Sequence, residues 1–225
     1  SHGMLRLPSG KMSSRAGQVI TAESLIDQVK AKVLEKIKDR DFDVAEKDKI
    51  AEKVAIGAIK YSILKQSIGK DIIFDFDKSL SFEGDSGPYL QYAYTRALSV
   101  LKKAGADLPA SPEVQLQGAR SWTSNEASSS NLERLLYQFP EVTERAYTEL
   151  APQYIVSYLI EVAGAFNSFY AQNQIIGGDD EAYRLVLTRA TAIVLKNGLN
   201  LLGIPVLEKM WFFAFGRKII PSNTR

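Results

Sequence analysis

The chain has 225 residues, 45% of them hydrophobic and 24% charged, a balance that buries a full core in one or two domains. It has no cysteine and a single histidine, His2, which excludes disulfides, thiolate metal sites and any mechanism that needs a histidine base elsewhere. The formal net charge of +2 allows an anionic partner only where basic residues cluster. No apolar run reaches the length of a membrane span and the start does not resemble a signal peptide, so a cytoplasmic location is expected. Residues 1–20 read as loop, punctuated by Pro8, Gly10 and Gly17, and Ser1-His2-Gly3-Met4 resembles a tag remnant. Thr21 caps a predicted helix over 22–38, where Leu25, Val29, Val33 and Ile37 recur at helical spacing.

A second helix is predicted over 44–66, its later half strongly apolar. Residues 68–88 are irregular, with a brief extended piece at Ile72-Ile73-Phe74 and expected buried anchors at Leu80 and Phe82. The run from Phe82 to Tyr92 places Gly84, Asp85, Ser86, Gly87 and Pro88 directly before a helix predicted over 88–104. Asp85 or Ser86 suits its cap and Pro88 its first turn. Leu90, Tyr94, Ala97 and Leu101 form the inner stripe, with Tyr89, Tyr92 and Arg96 on an adjacent one. Residues 105–130 are turn-rich and read as a surface excursion within one domain. Helices follow over 131–139, 140–150, 152–172 and 181–202, the last stopped by Gly203 and Pro205. No long alternating pattern occurs, so no sheet is expected beyond a short hairpin.

Two groups of residues carry the chemistry. Lys11-Met12-Ser13-Ser14-Arg15, in the N-terminal loop, is a set that can hold a triphosphate, since cations neutralise it and hydroxyls donate to its oxygens. A solvated loop is the other reading of the same residues. Tyr89, Gln91, Tyr92 and Arg96 place aromatic, amide and cationic groups at a helix entrance, the surface on which an unpaired RNA loop stacks and hydrogen-bonds. Phe166, Asn167 and Tyr170 make a second such group, with the two rings at i and i+4. Rim packing for the tyrosines and core packing for Phe166 are the alternatives.

Five separated segments carry a resemblance. Residues 3–15 resemble the second nucleotide-loop motif of class I aminoacyl-tRNA synthetases. The blocks at 54–64, 72–96, 166–170 and 194–210 are similar to arginyl-tRNA synthetases, in that family's order. The resemblance implies an all-α, DALR-type anticodon-binding helical bundle. It also implies ATP with magnesium at the Lys11–Arg15 loop, and arginine tRNA as partner. DNA, membranes and protein-held metals are not expected. It adds Met210, near the family's chain end, as a tRNA contact.

The implied organisation is a catalytic-domain remnant over 1–20, connecting helices over 21–66, the anticodon-binding bundle over 67–210 and an extension of unknown origin over 211–225. The first class I motif and the nucleotide-binding sheet are expected upstream of Ser1, so no activity is expected of this chain alone. Ser14 stands where the general motif has its second lysine, and Ala16 where relatives often have Lys. A monomer is expected, with dimerisation through the aromatic run Trp211–Phe215 as an option. A helical protein-association module without an RNA role is the alternative function.

Overall fold

The computed structural model describes residues 3–6, 8, 21–106, 130–178 and 180–210. In chain order these form β1 (Leu5–Arg6), α1 (Ala22–Ile37), α2 (Val44–Leu64), β2 (Ile72–Ile73), α3 (Phe76–Ser79), α4 (Gly87–Lys103), α5 (Ser130–Tyr137), α6 (Phe139–Thr148), α7 (Gln153–Gln172) and α8 (Glu181–Leu201). The described residues are all-α apart from one short ladder.

The helix ends follow from local chemistry. Thr21 Oγ1 accepts from the Ser24 N–H at 3.1 Å, Asp43 Oδ1 from the Glu46 N–H at 2.7 Å and Ser86 Oγ from the Tyr89 N–H at 3.1 Å. Each satisfies a donor that its first helical turn leaves open. At the end of α8, Gly203 takes a φ of 63°. The Ile204 N–H then reaches Leu199 O at 2.8 Å and the Gly203 N–H reaches Asn200 O at 2.9 Å. This paired closure needs a residue without a Cβ at the left-handed position.

Two features depart from expectation. Residues 5–6 were expected in a loop but form β1, which pairs in parallel with β2, Leu5 against Ile72 and Arg6 against Ile73. A two-residue strand has no periodicity to read, and its partner lies far along the chain. The single turn α3 was not expected either; Asp75 Oδ1 caps it, accepting from the Asp77 and Lys78 N–H groups. Leu80 and Phe74 are buried as anchors, whereas Phe82 is half-buried.

The described residues form two cores. The first gathers Leu25, Val29, Val33 and Ile37 from α1, Ile50, Val54 and Ala58 from α2, then Phe74, Leu80, Leu207 and Met210. The second lies among α4, α5, α7 and α8 and contains Leu90, Tyr94, Ala97, Leu101, Leu159, Phe166, Leu195 and Leu199. Tyr61 carries α2 into it, so α2 serves both cores. Helices α2 and α4 meet at Gly57 and Gly87: a Cβ on Gly87 would overlap the Gly57 carbonyl. The Gly-Pro start of α4 is therefore a packed joint.

Candidate nucleic-acid interface

The aromatic residues of α4 meet those of α7 through one arginine. On α4, Tyr92 and Arg96 are four residues apart and share a face. The Arg96 guanidinium carbon lies 4.5 Å from the Tyr92 ring centroid and 4.9 Å from that of Tyr170 on α7. Both rings are within the range at which a ring face attracts a cation. Arg96 Nη2 donates to the Tyr92 hydroxyl, and Nη1 donates to Asn167 Oδ1 at 2.7 Å. Asn167 Nδ2 donates in turn to the Tyr89 hydroxyl at 2.9 Å.

Four side chains thus fix Arg96 or the amide that holds it. Tyr89, Tyr92, Arg96 and Asn167 are half-buried, and Tyr170 is 41% exposed. An arginine held this way meets a ligand with little ordering left to do. The exposed Tyr170 ring offers a face on which a base can stack. Phosphate neutralisation, base stacking and hydrogen bonding to a base edge are the chemistry this arrangement supports.

Three residues expected at such a surface lie elsewhere. Gln91 is fully buried, its Nε2 donating to Lys53 O at 3.1 Å and to Pro205 O at 2.7 Å. Phe166 is fully buried in the second core, and Met210 is buried in the first. As placed, none of the three presents a surface to RNA. Each is withdrawn by packing partners remote in sequence. Lys11, Met12, Ser13, Ser14 and Arg15 lie outside the described residues, as does the run 211–225.

The preamble to α4 is anchored by a cluster that sequence reasoning did not assemble. The Tyr61 hydroxyl donates to Asp85 Oδ1, and Lys65 Nζ donates to Asp85 Oδ2 at 2.8 Å. Burial pushes the Asp85 carboxyl up, but the bonds from Lys65 and Tyr61 and the Lys65 charge outweigh it and hold it below its usual value. Burial foremost, with the Asp85 bond and charge, pushes the Tyr61 hydroxyl far above its usual value. Neither group titrates near neutral pH, which suits a structural joint. Among the described residues no cluster of acidic or histidine side chains is arranged to hold a metal. No helix among them is long and apolar enough to cross a membrane.

Comparison with known proteins gives two family matches. Residues 90–210 match the DALR anticodon binding domain, and residues 2–76 match the catalytic domain of class I (R) tRNA synthetases. The chain is similar to an arginine–tRNA ligase of Archaeoglobus fulgidus, 39% identical over 206 residues. That alignment covers 91% of this chain and 36% of the relative. One from Clostridium kluyveri is 38% identical over 211 residues, covering 92% and 36%. The chain therefore spans about a third of the length of these curated relatives. Among solved structures, Thermus thermophilus arginyl-tRNA synthetase superposes with a TM-score of 0.77 at 29% identity, over 93% of this chain and 35% of that one. The Plasmodium falciparum arginyl-tRNA synthetase shares the fold, with a TM-score of 0.71 at 23% identity, over 93% and 35% of the two chains.

Proposed function

The chain belongs to the arginyl-tRNA synthetase family, and from that premise we propose that its α4–α7 face binds the anticodon region of arginine tRNA. The observation that carries this reading is Arg96, set between the Tyr92 and Tyr170 rings and bonded to Asn167. A guanidinium has five N–H donors, more than the bonds to Asn167 and Tyr92 use. The remaining donors serve a phosphate or a base edge, and Tyr170 supplies the stacking face. The proposed contact set is Tyr89, Tyr92, Arg96, Asn167 and Tyr170.

The protein of which this chain is a part attaches arginine to its tRNA using ATP, in the cytoplasm. Lys11 and Arg15 would steady phosphate charge there, with Ser13 and Ser14 donating to oxygens and magnesium accompanying the nucleotide. The chain taken alone is inactive in this reading, and monomeric. The organisation proposed is a catalytic-domain segment and connecting helices up to residue 66, then the anticodon-binding unit over 67–210. A pure protein-association role is less favoured, because it leans on the 211–225 run rather than on the family matches.

The test is binding of arginine tRNA and of an unrelated tRNA across a salt series. The expected result is tighter binding of arginine tRNA, weakening as salt rises through loss of counterion release. In Arg96→Ala the slope of log affinity against log salt falls by about one phosphate contact. Equal binding of the two tRNAs, or no binding at low salt, counts against anticodon recognition by this chain.

A further inference from the structure

The segment that follows α8, residues 203–210, crosses α2 and α4 outside any helix or strand. Among the described residues, no backbone–backbone hydrogen bond fastens residues 205–210 to the body. Side chains do it instead. Lys60 Nζ donates to Gly203 O at 2.6 Å, Gln91 Nε2 to Pro205 O at 2.7 Å and Thr95 Oγ1 to Leu207 O at 3.0 Å, with Lys53 Nζ 3.4 Å from Val206 O. Two of these donors come from α2 and two from α4.

The four are not equivalent. Lys53 and Lys60 make their bonds at exposed sites, where water replaces a lost partner at small net cost. Thr95 has one hydroxyl proton within reach of two acceptors, Leu207 O and Gln91 O at 2.9 Å. Gln91 is fully buried, and its two amide protons join α2 (Lys53 O) to the crossing segment (Pro205 O). Its Oε1 has no hydrogen-bond partner. Turning the amide over would set that oxygen against two carbonyls, so the geometry requires the donor end where it stands. The segment then delivers Leu207 and Met210 into the first core, and Tyr92 packs against that core. Tyr92 in turn supports Arg96.

We propose that Gln91 is a positioning residue. Its carboxamide fastens the 203–210 segment, which seats Leu207 and Met210 in the core that supports Tyr92, and Tyr92 holds Arg96 at the RNA-facing surface. The coupling to RNA rests on the reading of the α4–α7 face given above; the fastening does not. Gln91 therefore serves RNA binding from the opposite side of α4, without touching RNA.

The experiment uses the whole chain, with Gln91→Met, which keeps the volume and removes the donors, Thr95→Val as a milder loosening, and Arg96→Ala as control. Peptide-resolved amide hydrogen exchange and arginine-tRNA affinity are measured on each. In Gln91→Met, the hydrogen-bonded amides of Gly203 and Ile204, next to the fastened Pro205, exchange at least about tenfold faster while those of α7 and the interior of α8 hold their rates, and affinity falls about tenfold. Thr95→Val shows the same pattern at smaller amplitude, and decides the matter if Gln91→Met does not fold. Arg96→Ala loses affinity with the segment's exchange unchanged. Unchanged exchange at Gly203 and Ile204, or equal acceleration through α7 and α8, overturns the fastening. Faster segment exchange with full affinity, while Arg96→Ala does lose affinity, overturns the coupling. An Arg96→Ala chain that binds normally overturns the RNA-face reading and the coupling with it, and the exchange rates still decide the fastening.

Discussion

Arg96 and Asn167, 71 residues apart, meet in a 2.7 Å bond from Nη1 to Oδ1 that ties α4 to α7 at the centre of the aromatic cluster. The Asn167 amide has a fixed sense, because the Arg96 guanidinium only donates and so takes Oδ1, which leaves Nδ2 to donate to the Tyr89 hydroxyl at 2.9 Å. Two substitutions at this position should therefore behave differently. Asn167→Ala frees Arg96 and lowers tRNA affinity about threefold through lost preorganisation. Asn167→Asp keeps the acceptor but adds a carboxylate that pairs with the cation and repels phosphate, and lowers affinity about tenfold or more, about 1.4 kcal/mol. Titration of labelled tRNA at fixed salt checks the order of the two.

The joint between α2 and α4 tolerates no added atom on one side. A Cβ on Gly87 meets the backbone carbonyl of Gly57, which cannot rotate away as a side-chain end can. Gly87→Ala should destabilise the chain by about 1–3 kcal/mol, the usual range for overpacking a close approach. Urea unfolding of the two proteins measures it. A change in the unfolding midpoint with the denaturant slope intact identifies the effect as stability.

Leu150 offers the opposite case. It closes α6 with a φ of 50°, and it is 72% exposed, so its side chain buries little. The Ala151 N–H reaches Ala146 O at 2.9 Å across this turn, the closure usually given to glycine. Leu150→Gly relieves a left-handed backbone that costs about 1–2 kcal/mol. Part of that gain is offset by the extra freedom of glycine in the unfolded chain. A rise in melting temperature of about 1–4 °C is expected by calorimetry.

Much of this fold was legible in the residues because its helices start and stop on local chemistry. Thr21, Ser86 and Gly203 mark boundaries within the reach of a few residues, and the inner stripe of α4 follows from spacing alone. What depends on distant partners was not legible. Gln91 reads as a polar residue at a helix entrance, and only the carbonyls of Lys53, 38 residues earlier, and Pro205, 114 residues later, explain its burial. The strand at Leu5–Arg6 is defined by Ile72 and Ile73, and two residues cannot show a period. Among the residues of the proposed contact set, Tyr92, Arg96 and Asn167 were nameable from composition and face. Their bonding into one cluster was not, since nothing local sets the rotation of α7 against α4. The Tyr61–Lys65–Asp85 anchor was missed for the same reason.

That anchor has a pH signature. The folded Asp85 carboxyl is held below its ordinary value by Lys65 and Tyr61 against the upward push of burial. Its stabilisation is complete above the ordinary, unfolded value, and is lost as pH falls through the folded one. Asp85→Asn, which keeps an acceptor for Tyr61, should be less stable than the parent at neutral pH. The gap is at most about 1 kcal/mol, because the Lys65 pair is largely exposed to solvent screening. It should close in acid below the ordinary carboxylate range. Unfolding free energies of both proteins at pH 7 and pH 3 test this.

The proposed interface sets the α4–α7 cluster against the anticodon loop. The most direct measurement places a photo-crosslinking phenylalanine derivative at Tyr170, the most exposed of the cluster's three tyrosines. The labelled chain is irradiated with arginine tRNA, and the attached nucleotide is mapped. Crosslinks are expected within the anticodon loop, suppressed by excess unlabelled arginine tRNA and reduced in Arg96→Ala. Crosslinks confined to the acceptor stem, or none while the complex is formed, would contradict the proposed interface.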